Sequence, residues 1–178
     1  MVWIRMQCRQ STVMTNELAT VRGLLLDIEE CGRLMPGVQL LEARGNGVYH
    51  YVLEAFSNGA VSMTPDYETR FDPSDPSDIR WEPHGEHNFR SWGAFRTTDT
   101  PVAGEVLLEI DTHAEADVAI DRILIPLIEP FARRFTQEVT VGFLAAIKRS
   151  VEAAPAAAPP PPGAPPTAAS AVPWSGPR

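Results

Sequence analysis

The sequence predicts an α+β fold in which an antiparallel sheet of seven strands wraps around one long C-terminal helix, with two short helices between the first two strands. Two observations predict it. Over residues 121–152, Leu124, Ile128, Phe131, Phe135, Val139, Phe143 and Ile147 recur every three or four residues, the spacing that puts side chains on one face of a helix. Upstream, short alternating segments are separated by turn signals, among them Asn46-Gly47 and Asn58-Gly59, and read as strands joined by hairpins. An apolar stripe needs an apolar partner; the concave face of a curved sheet supplies one and commonly encloses a pocket.

Taken in order, residues 2–14 alternate, with Trp3, Arg5, Gln7, Arg9 and Ser11 on one face and Val2, Ile4, Met6 and Cys8 on the other. Thr15 or Asn16 then caps a helix whose stripe is Leu18, Val21, Leu25 and Ile28, with Glu17 near the positive end of its dipole. It should stop near Cys31-Gly32, and Gly32 with the turn Pro36-Gly37 suggests a helix broken into two short pieces. Strands follow at 38–44 and 48–57 around Gly45-Asn46-Gly47, at 60–71 after Asn58-Gly59, and at 78–84, 88–99 and 105–113. Pro83 belongs at an edge or an end, since proline has no N–H for a ladder. Pro126 and Pro130 fall in the first turns of the last helix and imply an irregular start near Ile125, with regular helix from about residue 130.

Alternation turns Tyr49, Tyr51 and Leu53, then Val61, Met63, Tyr67 and Phe71, then Val106, Leu108 and Ile110 toward the helix. From these and the helix stripe the candidate ligand-binding residues are Tyr49, Tyr51, Leu53, Val61, Met63, Tyr67, Phe71, Trp92, Leu108, Ile128, Phe131, Phe135 and Phe143. Trp92 depends on which face of its strand lines the pocket. An Arg90/Trp92 wall implies an amphipathic ligand, and a Phe89/Phe95 wall a mostly apolar one.

Composition excludes several function classes. A net charge of -8, with Arg178 the one charged residue after Glu152, disfavours a phosphate-backbone partner, so no nucleic acid is expected. Arg133-Arg134 and Lys148-Arg149 read as the solvated face of the last helix. Cys8 and Cys31 lack metal-type spacing and no secretory segment precedes them, which fits a reducing cytoplasm. Residues 153–178 are rich in Ala and Pro and lack apolar periodicity, so they read as a disordered tail after a domain at 1–152. Trp174 is the tail's one large apolar residue and could anchor it to a protein partner or a membrane surface.

No catalytic or metal set stands out, and no cofactor is expected. His50 and Glu54, with Asp66 and Glu68, fall on the face turned away from the helix. His84-Gly85-Glu86-His87 offers too few ligands for zinc. Gly45 and Gly47 open no helix and so cradle no phosphate, and Ser57, Ser62 and Ser91 lack the glycine frame of a nucleophile elbow.

The element order resembles the helix-grip fold of the START-like, or SRPBCC, superfamily. Met35-Pro36-Gly37-Val38, the Gly45-Asn46-Gly47 hairpin and the helix bearing Pro126, Pro130, Phe131, Arg134, Phe135 and Phe143 carry the resemblance, which covers residues 2–151. Polyketide cyclase-like members and the members associated with carbon monoxide dehydrogenase look most similar, the latter also in an Ala/Pro-rich extension. The resemblance implies a cavity under the helix for a lipid, sterol, quinone or polyketide-like molecule. It leads to the expectation of non-covalent binding or transport, with a cyclase or aromatase, or an interaction module with a filled core, as alternatives.

Overall fold

The computed structural model describes residues 2–57 and 62–154. β1 (Val2–Thr15) is followed by helices α1 (Leu18–Leu26) and α2 (Ile28–Arg33), strands β2 (Val38–Gly45) and β3 (Val48–Leu53), the short pieces β4 (Phe56–Ser57) and β5 (Ser62–Met63), strands β6 (Asp66–Asp72), β7 (Asp78–His84), β8 (Phe89–Asp99) and β9 (Glu105–Val118), and helix α3 (Ile125–Ala153). Seven strands form one antiparallel sheet in the order β1-β9-β8-β7-β6-β3-β2. This is the predicted helix-grip architecture: a curved sheet, two short helices after the first strand, and one long helix at the end.

The first strand closes onto the last. β1 pairs with β9 along its whole length, from Val2↔Val118 to Thr15↔Glu105, and its buried Ile4, Met6 and Cys8 alternate with exposed Arg5, Gln7 and Arg9. At the β2–β3 turn Gly45, Asn46 and Gly47 all have positive φ, of 88°, 52° and 73°, the region glycine enters freely and asparagine tolerates. Pro83 lies where β7 has left β8, whose last pair with it is Trp81↔Gly93.

Four expected boundaries move. The strand expected at 48–57 stops at Leu53, and the one expected at 60–71 resumes at Asp66, because Pro65 has no N–H with which to extend the β3–β6 ladder beyond Val52↔Asp66. The Pro65 carbonyl accepts from Leu53 N (3.0 Å) and Glu54 N turns to the Gly37 carbonyl (2.7 Å), so β4 and β5 pair as a separate ribbon. β9 runs five residues past His113 to Val118, carried by buried Ala114, Ala116 and Val118. α3 is helical from Ile125, after a 3₁₀ turn at Arg122–Leu124; Pro126 sits in the first turn, where a missing N–H is tolerated, and the helix continues through Pro130.

The expected cap of α1 is replaced by a different contact. The N-cap is Glu17, without a side-chain bond, while Asn16 Nδ2 donates to the Val151 carbonyl at 2.7 Å and its Oδ1 accepts from Glu17 N. Asn16 therefore gives a second hydrogen bond to a carbonyl in the last turn of α3 that also accepts from Ala154 N at 3.1 Å. Lys148 Nζ adds a bond to the Val13 carbonyl and Glu152 Oε1 accepts from Thr15 N, so the C-terminal end of α3 is fastened to the β1–α1 corner. Arg133 and Arg134 form exposed pairs with Glu129 and Glu138, the solvated face expected of them.

Apolar packing is dense at both ends of α3. Phe143, Leu144, Ile147 and Val151 pack with Met14, Val21, Leu25, Ile79, Val106 and Leu108 at one end. At the other, Ile128 and Ala132 pack with Ile4, Met6, Met63, Ala114, Ala116 and Val118. Between them the helix and sheet stand apart.

Candidate functional site: a cavity beneath the last helix

The space between α3 and the sheet is a cavity of about 110 Å³, counted as room for the centre of a water-sized sphere. α3 lines it with Ala132, Phe135, Thr136, Val139, Thr140 and Phe143, whose spacing of three, one, three, one and three keeps them on one helical face. The sheet contributes alternate residues: Tyr51 and Leu53 from β3, Tyr67, Thr69 and Phe71 from β6, Trp81 from β7, Phe89, Ser91 and Phe95 from β8, and Ile110, Thr112 and Ala114 from β9. Met6, Ile28, Cys31, Gly32, Met35 and Phe56 complete the wall.

Gly93 has the same parity as Phe89, Ser91 and Phe95 but carries no side chain. A β-carbon there would clash with the Asp111 carbonyl and lie 2.6 Å from Trp81 Cζ2, so the glycine is what lets the Trp81 ring lie flat across β8. Trp81 Nε1 then donates to Ser91 Oγ at 3.0 Å. Its ring lies 5.0 Å from Phe95 and 6.0 Å from Phe71, continuing an aromatic belt along the floor.

Among the described residues the wall contains no Asp, Glu, Lys, Arg or His. Its ionisable groups are Cys31, Tyr51 and Tyr67, and burial holds all three in their neutral forms. It pushes the Cys31 thiol up to about 12, with Asp27 and Glu30 adding to the effect. It likewise raises both phenols above the ordinary tyrosine range, and for Tyr51 the neighbouring Tyr67 contributes further. Several hydroxyls are already committed. Thr69 donates to the Glu82 carbonyl (2.8 Å), Thr136 to Ala132 (3.0 Å) and Thr140 to Thr136 (2.7 Å), the last two along the helix itself.

Of the candidate residues, Tyr51, Leu53, Tyr67, Phe71, Phe135 and Phe143 meet at the cavity wall. Leu108 is fully buried within the core beneath α3 and never reaches the space, and Ile128 and Met63 are packed into the cluster at the helix's first turns. Phe131 lies to one side of the lining face, 6.3 Å from the Phe56 ring. Tyr49 sits further along β3, edge-on to Phe71 at 5.7 Å and beside Asp27 and Glu29 at the outside of α2. Val61 lies outside the described residues. Trp92 is on the opposite face of the sheet, stacked on His113 with centroids 5.5 Å apart, because the β8–β9 register turns Phe89, Ser91 and Phe95 inward. Its companion Arg90 lies over the Trp3 ring at 4.4 Å, again outside. The cavity thus takes the Phe89/Phe95 face.

The polar candidates gather elsewhere. His50 Nε2 is 2.8 Å from Asp66 Oδ1, Arg44 bonds His50 Nδ1 at 2.9 Å, and the His87 ring stacks near His50 at 6.3 Å. His84 pairs with Arg70. None of these lines the cavity, and no three His, Cys, Asp or Glu among the described residues are placed to hold a metal ion. No helix among them is long and apolar enough to cross a membrane.

No family model and no curated protein matches this sequence. Solved structures do. A START superfamily protein from Mycobacterium smegmatis superposes with a TM-score of 0.58 at 17% identity, covering 82% of this chain and 97% of that one. The Zhui aromatase/cyclase from a Streptomyces species gives 0.55 at 16%, covering 83% and 94%. Norcoclaurine synthase from Thalictrum flavum gives 0.56 at 10%, covering 84% and 87%. The chain therefore has the START-like fold, shared by proteins with quite different named activities.

Proposed function

We propose that this protein binds a hydrophobic small molecule non-covalently in the cavity under α3, as a carrier, chaperone or accessory protein of the cytoplasm. The observation that carries the reading is a wall of aromatic and aliphatic side chains with no charged group among the described residues. Such a wall rewards desolvation of an apolar ligand and would penalise an unpaired charge. The fold supports the same reading, because its solved relatives include a START superfamily protein and an aromatase/cyclase. The modest volume favours one ring system or a single chain over a two-chain lipid.

A cyclase that moves protons would need a group in the cavity able to exchange one near neutrality. Cys31, Tyr51 and Tyr67 are all held protonated well above that range, which favours binding over acid–base catalysis. Residues 1–152 act in this reading as the ligand-binding domain, and residues 153–178 as an appended tail that carries any protein or membrane contact.

Native mass spectrometry of protein purified from its own host, followed by solvent extraction, tests the proposal. A bound mass that dissociates without covalent change is the expected result. Protein that is always empty, and that takes up no quinone or lipid in titration, overturns it.

A further inference from the structure

Two polar groups in the cavity remain uncommitted. Tyr51 and Tyr67 are almost wholly buried, at 3% and 5% exposure, and both line the cavity, yet neither phenol has a hydrogen-bond partner among the described residues. Neither oxygen is sealed in protein: the buried, unpaired side-chain oxygens among those residues are those of Asp78, Asp111 and Asp117. Both residues belong to the cavity wall. A buried donor without an acceptor is expensive, and a ligand that supplies the acceptor recovers that energy.

Their geometry narrows the acceptor. Tyr51 and Tyr67 are directly opposite in the β3–β6 ladder, and their rings are nearly parallel, at 9°, with centroids 5.3 Å apart. The β-carbons of such a pair are also about 5 Å apart, so the two side chains leave neighbouring points of the wall. One carbonyl oxygen has two lone pairs and can accept from two neighbouring phenols.

We infer that the cavity selects an uncharged ring ligand bearing a carbonyl oxygen, a ketone or quinone, which accepts a hydrogen bond from Tyr51 and from Tyr67 together. The inference rests on the proposed binding of an apolar ligand and specifies its one polar anchor. A carboxylate is a poor occupant, since no cation lines the wall to balance it among the described residues. The rest of the molecule lies against the belt of Phe89, Trp81, Phe71 and Phe95.

The test uses two neutral naphthalene probes on the full-length protein. One is the ketone 6-propionyl-2-(dimethylamino)naphthalene, whose emission moves to longer wavelength when its carbonyl accepts hydrogen bonds. The other is N-phenyl-1-naphthylamine, which has no carbonyl. Tyr51→Phe and Tyr67→Phe each weaken the ketone about fivefold, and the double variant more than about tenfold with emission moved to shorter wavelength. The amine binds all four proteins within about twofold, and the melting temperatures do not fall, because no protein hydrogen bond is removed. Equal effects on both probes, or none on either, overturn the carbonyl anchor while leaving the cavity as a binding site. If neither probe binds the wild-type protein, the binding reading fails and the anchor with it.

Discussion

Gly32 faces the hydroxyl end of Tyr51: a β-carbon at Gly32 would stand 2.8 Å from the phenol oxygen and 2.7 Å from Leu41 Cδ2. The short helix α2 can lie against the cavity wall only because this position has no side chain. Gly32→Ala must push Tyr51 or Leu41 aside, which outweighs the helix-forming advantage of alanine and lowers stability by about 1–3 kcal/mol. Gly23→Ala in α1, where nothing lies within 4 Å of the new carbon, changes stability in the opposite direction by about 0.5–1 kcal/mol. Urea unfolding of the two variants checks the sign of each change.

Asn16 holds the end of α3 through its bond to the Val151 carbonyl. Asn16→Ala removes that bond and the one accepted from Glu17 N, and costs about 1–2 kcal/mol. The loss appears in chemical denaturation, and in hydrogen exchange as faster opening confined to the last turns of α3.

The neutral, buried groups of the wall predict an alkaline limit to stability. Each has a folded-state pKa raised above its unfolded value, so its contribution is fully present below the unfolded pKa and is lost as pH rises beyond it. For Cys31 the loss begins near 9.0 and continues to about 12, and for Tyr51 and Tyr67 it begins near 10.0. Stability falls by about 1.4 kcal/mol per pH unit for each group titrating only in the unfolded chain. Absorbance of tyrosinate at about 295 nm should therefore rise steeply with unfolding; a broad titration centred near the ordinary tyrosine pKa of about 10 would contradict the burial.

Trp81 lines the cavity whereas Trp92 lies on the other side of the sheet against His113. A ligand that quenches tryptophan by direct contact should quench Trp92→Phe as it does the wild type, and should lose most of that quenching in Trp81→Phe. Equal losses in the two variants would put the ligand outside the cavity.

Much of this arrangement is legible in the residues, and what is not has physical causes. Alternation alone gives the inward parity of Tyr51, Leu53, Tyr67 and Phe71. It is blind to Pro65, whose missing N–H ends the β3–β6 ladder and moves Met63 into a separate ribbon. The stripe of α3 attracts notice through its phenylalanines, yet the lining face is centred on the smaller Ala132, Thr136 and Thr140, which leave the empty space. Phe131 is one residue, about 100° of rotation, away from Ala132. The inward face of β8 is fixed by its ladder with β9 and by Gly93 admitting Trp81, and such pairing between distant segments leaves no local signal.

The most direct test of the central claim is a titration with N-phenyl-1-naphthylamine of the wild-type protein and of Thr136→Phe, which puts a ring into the cavity from α3. The wild-type protein should bind one probe saturably, with enhanced blue-shifted emission, and Thr136→Phe should bind it at least about tenfold more weakly while remaining folded. Equal binding by the two proteins, or no saturable binding by the wild type, would contradict the claim that this fold serves to hold a hydrophobic molecule beneath its last helix.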